Sequence, residues 1–260
     1  QKGDFLNLQI PLPPLEEQKR IVARIEQLFS KIDEVKKLRK EALEEAKALL
    51  PSALHQIFSK ADKKGWRWVR LGEVVSIRKQ TIDPKNHPDE EFELYSIPAY
   101  HEAGLPEIKK GSEIGSSKFQ VKPQDILFGK LNPHIPKVWR VRTYSEKRQI
   151  ATTEFFPIYP KNHNTLLNDY LFWSLKTPQF IDYVIKLVIG TTGSRKRLQK
   201  GDFLNLQIPL PPLEEQKRIV AYLDKIQEKV LSLQKLQEET EKEMEKLKEA
   251  ILHKAFTGRL

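Results

Sequence analysis

The chain of 260 residues has no cysteine. That excludes a disulfide framework, a thiol nucleophile and a cysteine-ligated zinc site, and makes a reducing cytoplasm its expected location. Methionine occurs once, at Met244, and the first residue is Gln1, so the chain is expected to be a fragment or a processed product. Apolar runs are short: none approaches the ~18 residues of a membrane span, and no signal peptide opens the sequence. A Gly-rich dinucleotide fingerprint and a P-loop are missing. So is the Asn/Asp-Pro-Pro-aromatic turn with which an adenine methyltransferase holds a flipped base; LNPHIP and PLPPL do not supply it. The six histidines are scattered without metal-ligand spacing. The chain calls for no cofactor and no metal.

What the chain does contain is a repeat. Residues 1–23 and 199–221 are the same peptide, QKGDFLNLQIPLPPLEEQKRIVA, and at the same offset of 198 Leu49, Leu54, His55 and Phe58 match Leu247, Leu252, His253 and Phe256. Repeats fix architecture before any local reading. Here they divide the chain into two equivalent arms, 1–65 and 199–260, around a unique middle, 66–198.

Each arm opens on a β-like stretch, Phe5 to Ile10 or Phe203 to Ile208, and then meets prolines 11, 13 and 14 or 209, 211 and 212. Proline suits a helix entry, since it lacks an N–H and its φ is already near helical. Glu16 and Glu17, or Glu214 and Glu215, then face the positive end of the helix dipole. Helices are predicted from about residues 14 and 212, each about 44 residues and on the order of 65 Å long. Pro51 is expected to kink or end the first, with Gly65 closing the segment, and Gly258 caps the second.

Apolar residues at 3–4 spacing give one seam of Ile25, Leu28, Ile32, Val35, Ala42, Ala46, Leu49 and Ala53. The other runs through Leu223, Ile226, Val230, Leu233, Thr240, Met244, Leu247 and Ile251. Arg39 and Gln237 form a matched polar break of the kind that fixes register. Helices of this length cannot bury a narrow stripe alone, so they are expected to pair, most simply as a coiled coil, within one chain or between two.

The net charge of +10 is unevenly spread. Residues 1–60 carry 11 basic and 9 acidic side chains, residues 199–260 carry 11 of each, and residues 61–198 carry 23 and 15. The excess lies in the middle, where a nucleic-acid footprint belongs; a basic, soluble surface is the plainer reading. This region reads as short β-rich runs such as VRLGEVVSI, FELYSI, DILFGKL, KVWRVRTY and EFFPIYP. One helix is expected over 168–188, interrupted by Pro178. The fold class is α+β: a β-rich middle domain plus two long helices.

Three stretches could carry chemistry. GTTGSRKRLQKG (190–201) offers Thr191, Thr192 and Ser194 beside Arg195, Lys196 and Arg197: hydroxyls and cations suited to phosphate oxygens on a backbone that glycine keeps slim. FGKLNPHIPKVWRVR (128–142) places Lys130, Asn132, His134, Lys137, Arg140 and Arg142 near a hairpin, where Arg and Lys can read guanine edges and Asn adenine. SIRKQT (76–81) offers Arg78, Lys79 and Gln80 at a strand exit. Solvated loops and strand faces are the alternative in each case. One enzyme-like pattern remains, Pro88-Asp89 followed by Glu107-Ile108-Lys109, the order of acids and lysine in a magnesium nuclease core.

The order W-x-W-V-x-L-G-E-V, DILF-GKLNP, ATTEFF and a Gly-rich loop running into IPLPPLEEQKRIV and a long helix resembles the specificity subunit of type I restriction-modification systems. The PLPPLEEQKRIVA block followed by heptads, present twice, is its most specific element. The resemblance implies that 66–198 is a target-recognition domain reading one half of a split double-stranded DNA target. It implies that 1–65 and 199–260 are conserved regions, each a domain-closing strand plus a spacer helix, and that the two helices pair as an antiparallel coiled coil. Such a subunit has no catalysis of its own; methyltransferase subunits dock on the spacer and restriction subunits join through them. A complete member begins with another recognition domain, and none precedes the leading QKGDFLNLQI. The chain is thus expected to be the later half of a longer protein, a short half-subunit or a permuted form, and two copies could form a homodimer through their arms. The alternatives are a stand-alone nuclease on Asp89, Glu107 and Lys109, or a non-catalytic coiled-coil scaffold.

Overall fold

The computed structural model describes residues 12–102, 104–132, 136–189 and 197–260. Its backbone divides into two compact units, one of residues 1–49 with 226–260 and one of residues 50–225. The helices α1 (Leu15–Phe58) and α7 (Leu213–Phe256) contribute to both, and each is 44 residues long. Neither contains glycine, and each begins one residue after the paired prolines with two glutamates in its first turn. Pro51 lies inside α1, which runs on for a further two turns to Phe58. Proline removes one N–H bond, and with Pro51 on the exposed side its ring meets solvent instead of a packed neighbour. Gly65, at φ +65°, then turns the chain, and Gly258, at φ +69°, closes α7 with Arg259 N–H donating to Lys254 O at 2.9 Å.

The first unit is a helical hairpin. Lys248 bonds Asp33 at 2.8 Å, Lys36 bonds Glu241 at 3.1 Å and also Glu245, and Gln237 Nε2 donates to Arg39 O at 2.7 Å. Partner numbers fall as α1 numbers rise, so the helices are antiparallel. Arg39 and Gln237, the matched polar residues of the repeat, meet each other. The hairpin is therefore centred near residues that correspond at the offset of the repeat.

The buried seam corrects the predicted one. Ile25 and Leu28 are half-buried and Ile32 is buried, but the line then steps four residues to Lys36 and on through Arg39, Leu43, Ala46 and Leu50. Val35, 44% exposed, and Leu49, 56% exposed, lie off it. In α7 the line runs Ile226, Val230, Leu233, Gln237, Thr240, Met244, Lys248 and Ile251, while Leu247 is 51% exposed. Charged residues occupy inward positions because their stems lie along the seam while their heads reach partners on the opposite helix. Lys248, for example, crosses the ring of Phe29 at 5.3 Å to reach Asp33. Leu223 is fully buried, in the second unit.

The second unit is β-rich. Strands β1 (Arg67–Arg70), β2 (Val75–Ile77), β3 (Thr81–Ile82), β4 (Glu91–Tyr95), β5 (Glu107–Lys110) and β6 (Lys118–Gln120) lead to β7 (Ile126–Gly129), β8 (Val138–Arg140), β9 (Arg148–Ala151), β10 (Phe155–Pro160) and β11 (Gln207–Leu210). Short helices α2 (Leu71–Val74), α3 (Ile97–Glu102), α4 (Asn168–Ser174), α5 (Pro178–Ile189) and α6 (Lys200–Asn205) complete it. One sheet is ordered β2-β10-β7-β8 and another β3-β6-β9-β4-β5, in which β4 and β9 run parallel. The domain closes by pairing β1 with β11, so the repeat's Gln207-Ile208-Pro209-Leu210 is the partner of Arg67–Arg70.

The predicted β stretch Phe203 to Ile208 is split. Phe203 to Asn205 end α6, and the strand begins at Gln207. Phe203 stacks between Phe128 at 5.0 Å and Phe156 at 4.9 Å, and burial of that ring outweighs any strand preference around it. Pro178 ends the predicted single helix by opening α5 at its first position. The equivalent stretch Phe5 to Ile10 lies outside the described residues.

Alternation positions the core. On β4, Phe92 and Leu94 pack with Ile82, Ile114 and Ile150, while Tyr95 turns to the opposite face with Leu127, Trp139 and Phe155. The buried Glu93 on that face accepts hydrogen bonds from Ser145 Oγ and Gln149 Nε2. No described helix is long and apolar enough to cross a membrane.

Candidate nucleic-acid interface

The ends of β7, β10 and the segment entering α6 meet at one point. Lys130 N–H donates to Glu154 O at 2.8 Å, Leu198 N–H donates to Lys130 O at 2.9 Å, and Leu131 bridges to Arg197. Side chains lock the junction. Arg197 reaches both carboxylate oxygens of Glu154, while Lys130 Nζ donates to Thr153 O at 2.6 Å and lies 4.7 Å from the Phe156 ring and 5.4 Å from Phe119. Burial of the Lys130 ammonium pulls its pKa below that of a free lysine. Phe119 pairs across the sheet with Thr81, and Gln120 N–H donates to Gln80 O at 2.9 Å. Parts of all three predicted segments are therefore linked through Phe119 and Gln120: Gln80, Lys130 with Leu131, and Arg197.

Asn132 is exposed with φ +47°, a left-handed turn conformation that asparagine tolerates. Lys79 and Gln80 are exposed. His134, Thr191, Thr192, Ser194, Arg195 and Lys196 lie outside the described residues.

Three predicted cations are used elsewhere. Arg78 forms a two-bond pair with Asp125 at 2.9 and 3.0 Å and stacks on Tyr159, which holds its guanidinium pKa above the usual value. Its head lines a cleft of about 630 Å³ with Gln124, Asp125, Tyr159, His163 and Lys217. Lys137 is 4% exposed and donates to Leu131 O at 3.2 Å. Arg140 lies 3.1 Å from Asp169 and over the Phe172 ring. An alternating strand sends every second residue inward, and charge alone does not say which.

The nuclease pattern is not assembled. Asp89 sits in an exposed turn before β4, whereas Glu107 pairs with Leu94 at the far end of that strand, roughly 16 Å away at ~3.3 Å per residue. Glu107 is bonded to Lys109 and accepts from Ser96 Oγ. Among the described residues, no group of three or more carboxylates and histidines could hold a metal ion.

Sequence reading missed Phe119, Gln120, Thr153 and Glu154. All four lie outside the basic runs, and their signal was their place at strand ends: Gln120 closes β6, and Thr153-Glu154 turn between β9 and β10.

The family model for the type I restriction modification DNA specificity domain matches residues 1–45 and 63–242. The EcoEI specificity subunit of Escherichia coli is 28% identical over 172 residues, 63% of this chain and 28% of its own. The crystal structure of the HsdS subunit from Thermoanaerobacter tengcongensis is 32% identical with a TM-score of 0.60, covering all of this chain and 63% of that one. A chain from structural work on complex assembly and conformational transition of the type I R-M system is 33% identical with a TM-score of 0.73, covering all of this chain and 64% of that one. This chain thus spans less than two-thirds of each of these relatives. With the family model spanning most of its length, the chain belongs to the type I restriction-modification DNA specificity family.

Proposed function

We propose that this chain is a non-catalytic, sequence-specific DNA-recognition subunit of a type I restriction-modification complex. In this reading residues 66–198 form the target-recognition domain and read a half-site. Residues 1–65 and 199–260 supply the closing strands and the spacer. The observation that carries it is the linkage of Gln80, Lys130, Leu131 and Arg197 through neighbouring strand ends in a unit that holds most of the chain's positive charge. Cations at the ends of braced strands suit phosphate and base-edge contacts together.

The helical hairpin exposes Val35, Leu38, Leu49, Leu231, Leu236 and Leu247. Methyltransferase subunits docking on these residues, with restriction subunits joining through them, would place the adenine methylation and cleavage activities in the partners. A homodimer through the same leucines is the competing arrangement, and the solution mass separates the two. The cytoplasm is the compartment where such a complex meets its DNA.

The test is titration of duplex DNA with the chain between 50 and 200 mM salt, with and without magnesium. Binding without cleavage is expected, with affinity falling linearly on a log–log scale. Neutralising Arg195, Lys196 and Arg197 together should flatten that slope by about 2. Magnesium-dependent cleavage lost in Asp89→Asn, or an unchanged slope, would overturn the proposal.

A further inference from the structure

Arg197 is held unusually for a cation meant to neutralise phosphate. Its terminal nitrogen faces both oxygens of Glu154, and Glu154 is the partner of its side chain among the described residues. The Arg197 side chain is still 49% exposed, against 26% for Glu154. The two carboxylate oxygens share this one terminal nitrogen, and the remaining N–H groups of the guanidinium meet no partner among the described residues. The backbone that carries Glu154 is itself held, since its carbonyl accepts Lys130 N–H and its neighbour Thr153 O accepts Lys130 Nζ. The ammonium of Lys130 lies over Phe119 and Phe156.

A carboxylate beside an arginine has two consequences at a DNA surface. It repels phosphate, so the pair is poorly suited to the backbone, and it fixes the plane of the fork, which suits an acceptor pair on a base edge. We infer that Glu154 is a positioning residue that aims Arg197 at a guanine edge and keeps it off the phosphates, making the pair a determinant of one base of the target. This rests on the DNA-recognition reading above.

The experiment selects bound duplexes from a pool randomised over the binding site, using the full chain, and compares wild type with R197A, E154Q, E154A and the double variant R197A/E154A. Wild type should enrich a motif. R197A should erase the preference for guanine at one position, and E154Q and E154A should weaken it at that same position by about tenfold. All other positions should keep their preference. The double variant should be no worse than R197A. Affinity of E154Q for unselected duplex should rise, and its log–log salt slope should steepen by about 0.9 as Arg197 becomes available to a phosphate. E154Q keeps the shape and one acceptor of the carboxylate, so it separates aiming from folding, and matching thermal melts verify this.

An unchanged motif in both Glu154 variants, or an equal loss at every position, overturns the inference while leaving DNA recognition standing. Wild type that enriches no motif overturns both.

Discussion

Two stretches of this molecule have one sequence and two environments. Leu12–Ala23 and Leu210–Ala221 are identical, and their local structure is too. Helices begin at Leu15 and Leu213; Gln18 Nε2 donates to Pro13 O at 2.8 Å and Gln216 Nε2 to Pro211 O at 2.9 Å. The pairs Glu16–Lys19 and Glu17–Arg20 recur as Glu214–Lys217 and Glu215–Arg218. Beyond the first turn they part. Gln216 is fully buried, donates to Thr165 O at 2.8 Å and accepts Leu167 N–H at 3.0 Å; Ile219 is 5% exposed. In the first copy Leu12 is 80% exposed, Leu15 64% and Val22 52%. Caps, dipole and one-turn ion pairs need only neighbours in sequence, so they repeat. Burial needs a second surface, so it differs.

The largest expected contrast is at the isoleucine. Ile219→Ala should cost the β-rich unit about 2–4 kcal/mol, since the buried side chain leaves a cavity, whereas Ile21→Ala, half-buried, should cost under ~1 kcal/mol. Denaturant midpoints of the two variants check this, and equal costs would break the comparison. Next is the glutamine. Gln216→Ala removes three hydrogen bonds and strands the Leu167 N–H, at about 2 kcal/mol. Gln18→Ala removes the link to Pro13, the one hydrogen bond of its side chain among the described residues, and should cost about 0.5 kcal/mol. Amide exchange at Leu167 should accelerate in Gln216→Ala and stay unchanged in Gln18→Ala.

The same division explains what was legible in the sequence. Both helix starts, their lengths, the pairing of the helices and the α+β class follow from prolines, glutamates, periodicity and a repeat, all local or self-referential signals, whereas the antiparallel sense comes from the family resemblance. The seam slipped by one residue after Ile32 because Lys36 is inward yet charged, and only its partners Glu241 and Glu245, far along the chain, make that position tolerable. The basic runs marked the region of the candidate interface but not its members. Arg78 turns to Asp125, 47 residues on, and Glu154 enters through Arg197, 43 residues on. Strands β3, β5, β6 and β9 are two to four residues long, too short for alternation to announce them, and exist through their pairing.

The smallest contrast is in acid. The Lys64 ammonium, 2.6 Å from Glu215, holds that carboxyl below the usual carboxylate range, and Arg20 does the same for Glu17. A carboxylate whose pKa is lowered by folding stabilises fully above its unfolded pKa, near 4.5, and loses that contribution as pH falls through the lowered folded value. Lys64 is 151 residues from Glu215, so its contact forms only when the β-rich unit folds, whereas Arg20 is one helical turn from Glu17. Lys64→Met should therefore make the melting of the β-rich unit less steeply acid-dependent below about pH 4.5, by under ~1 kcal/mol for so exposed a pair. Arg20→Met should leave that dependence unchanged. Melting curves between pH 3 and 7 at low salt, repeated at high salt where the difference should shrink, test whether a shared sequence acquires separate acid responses from its surroundings alone.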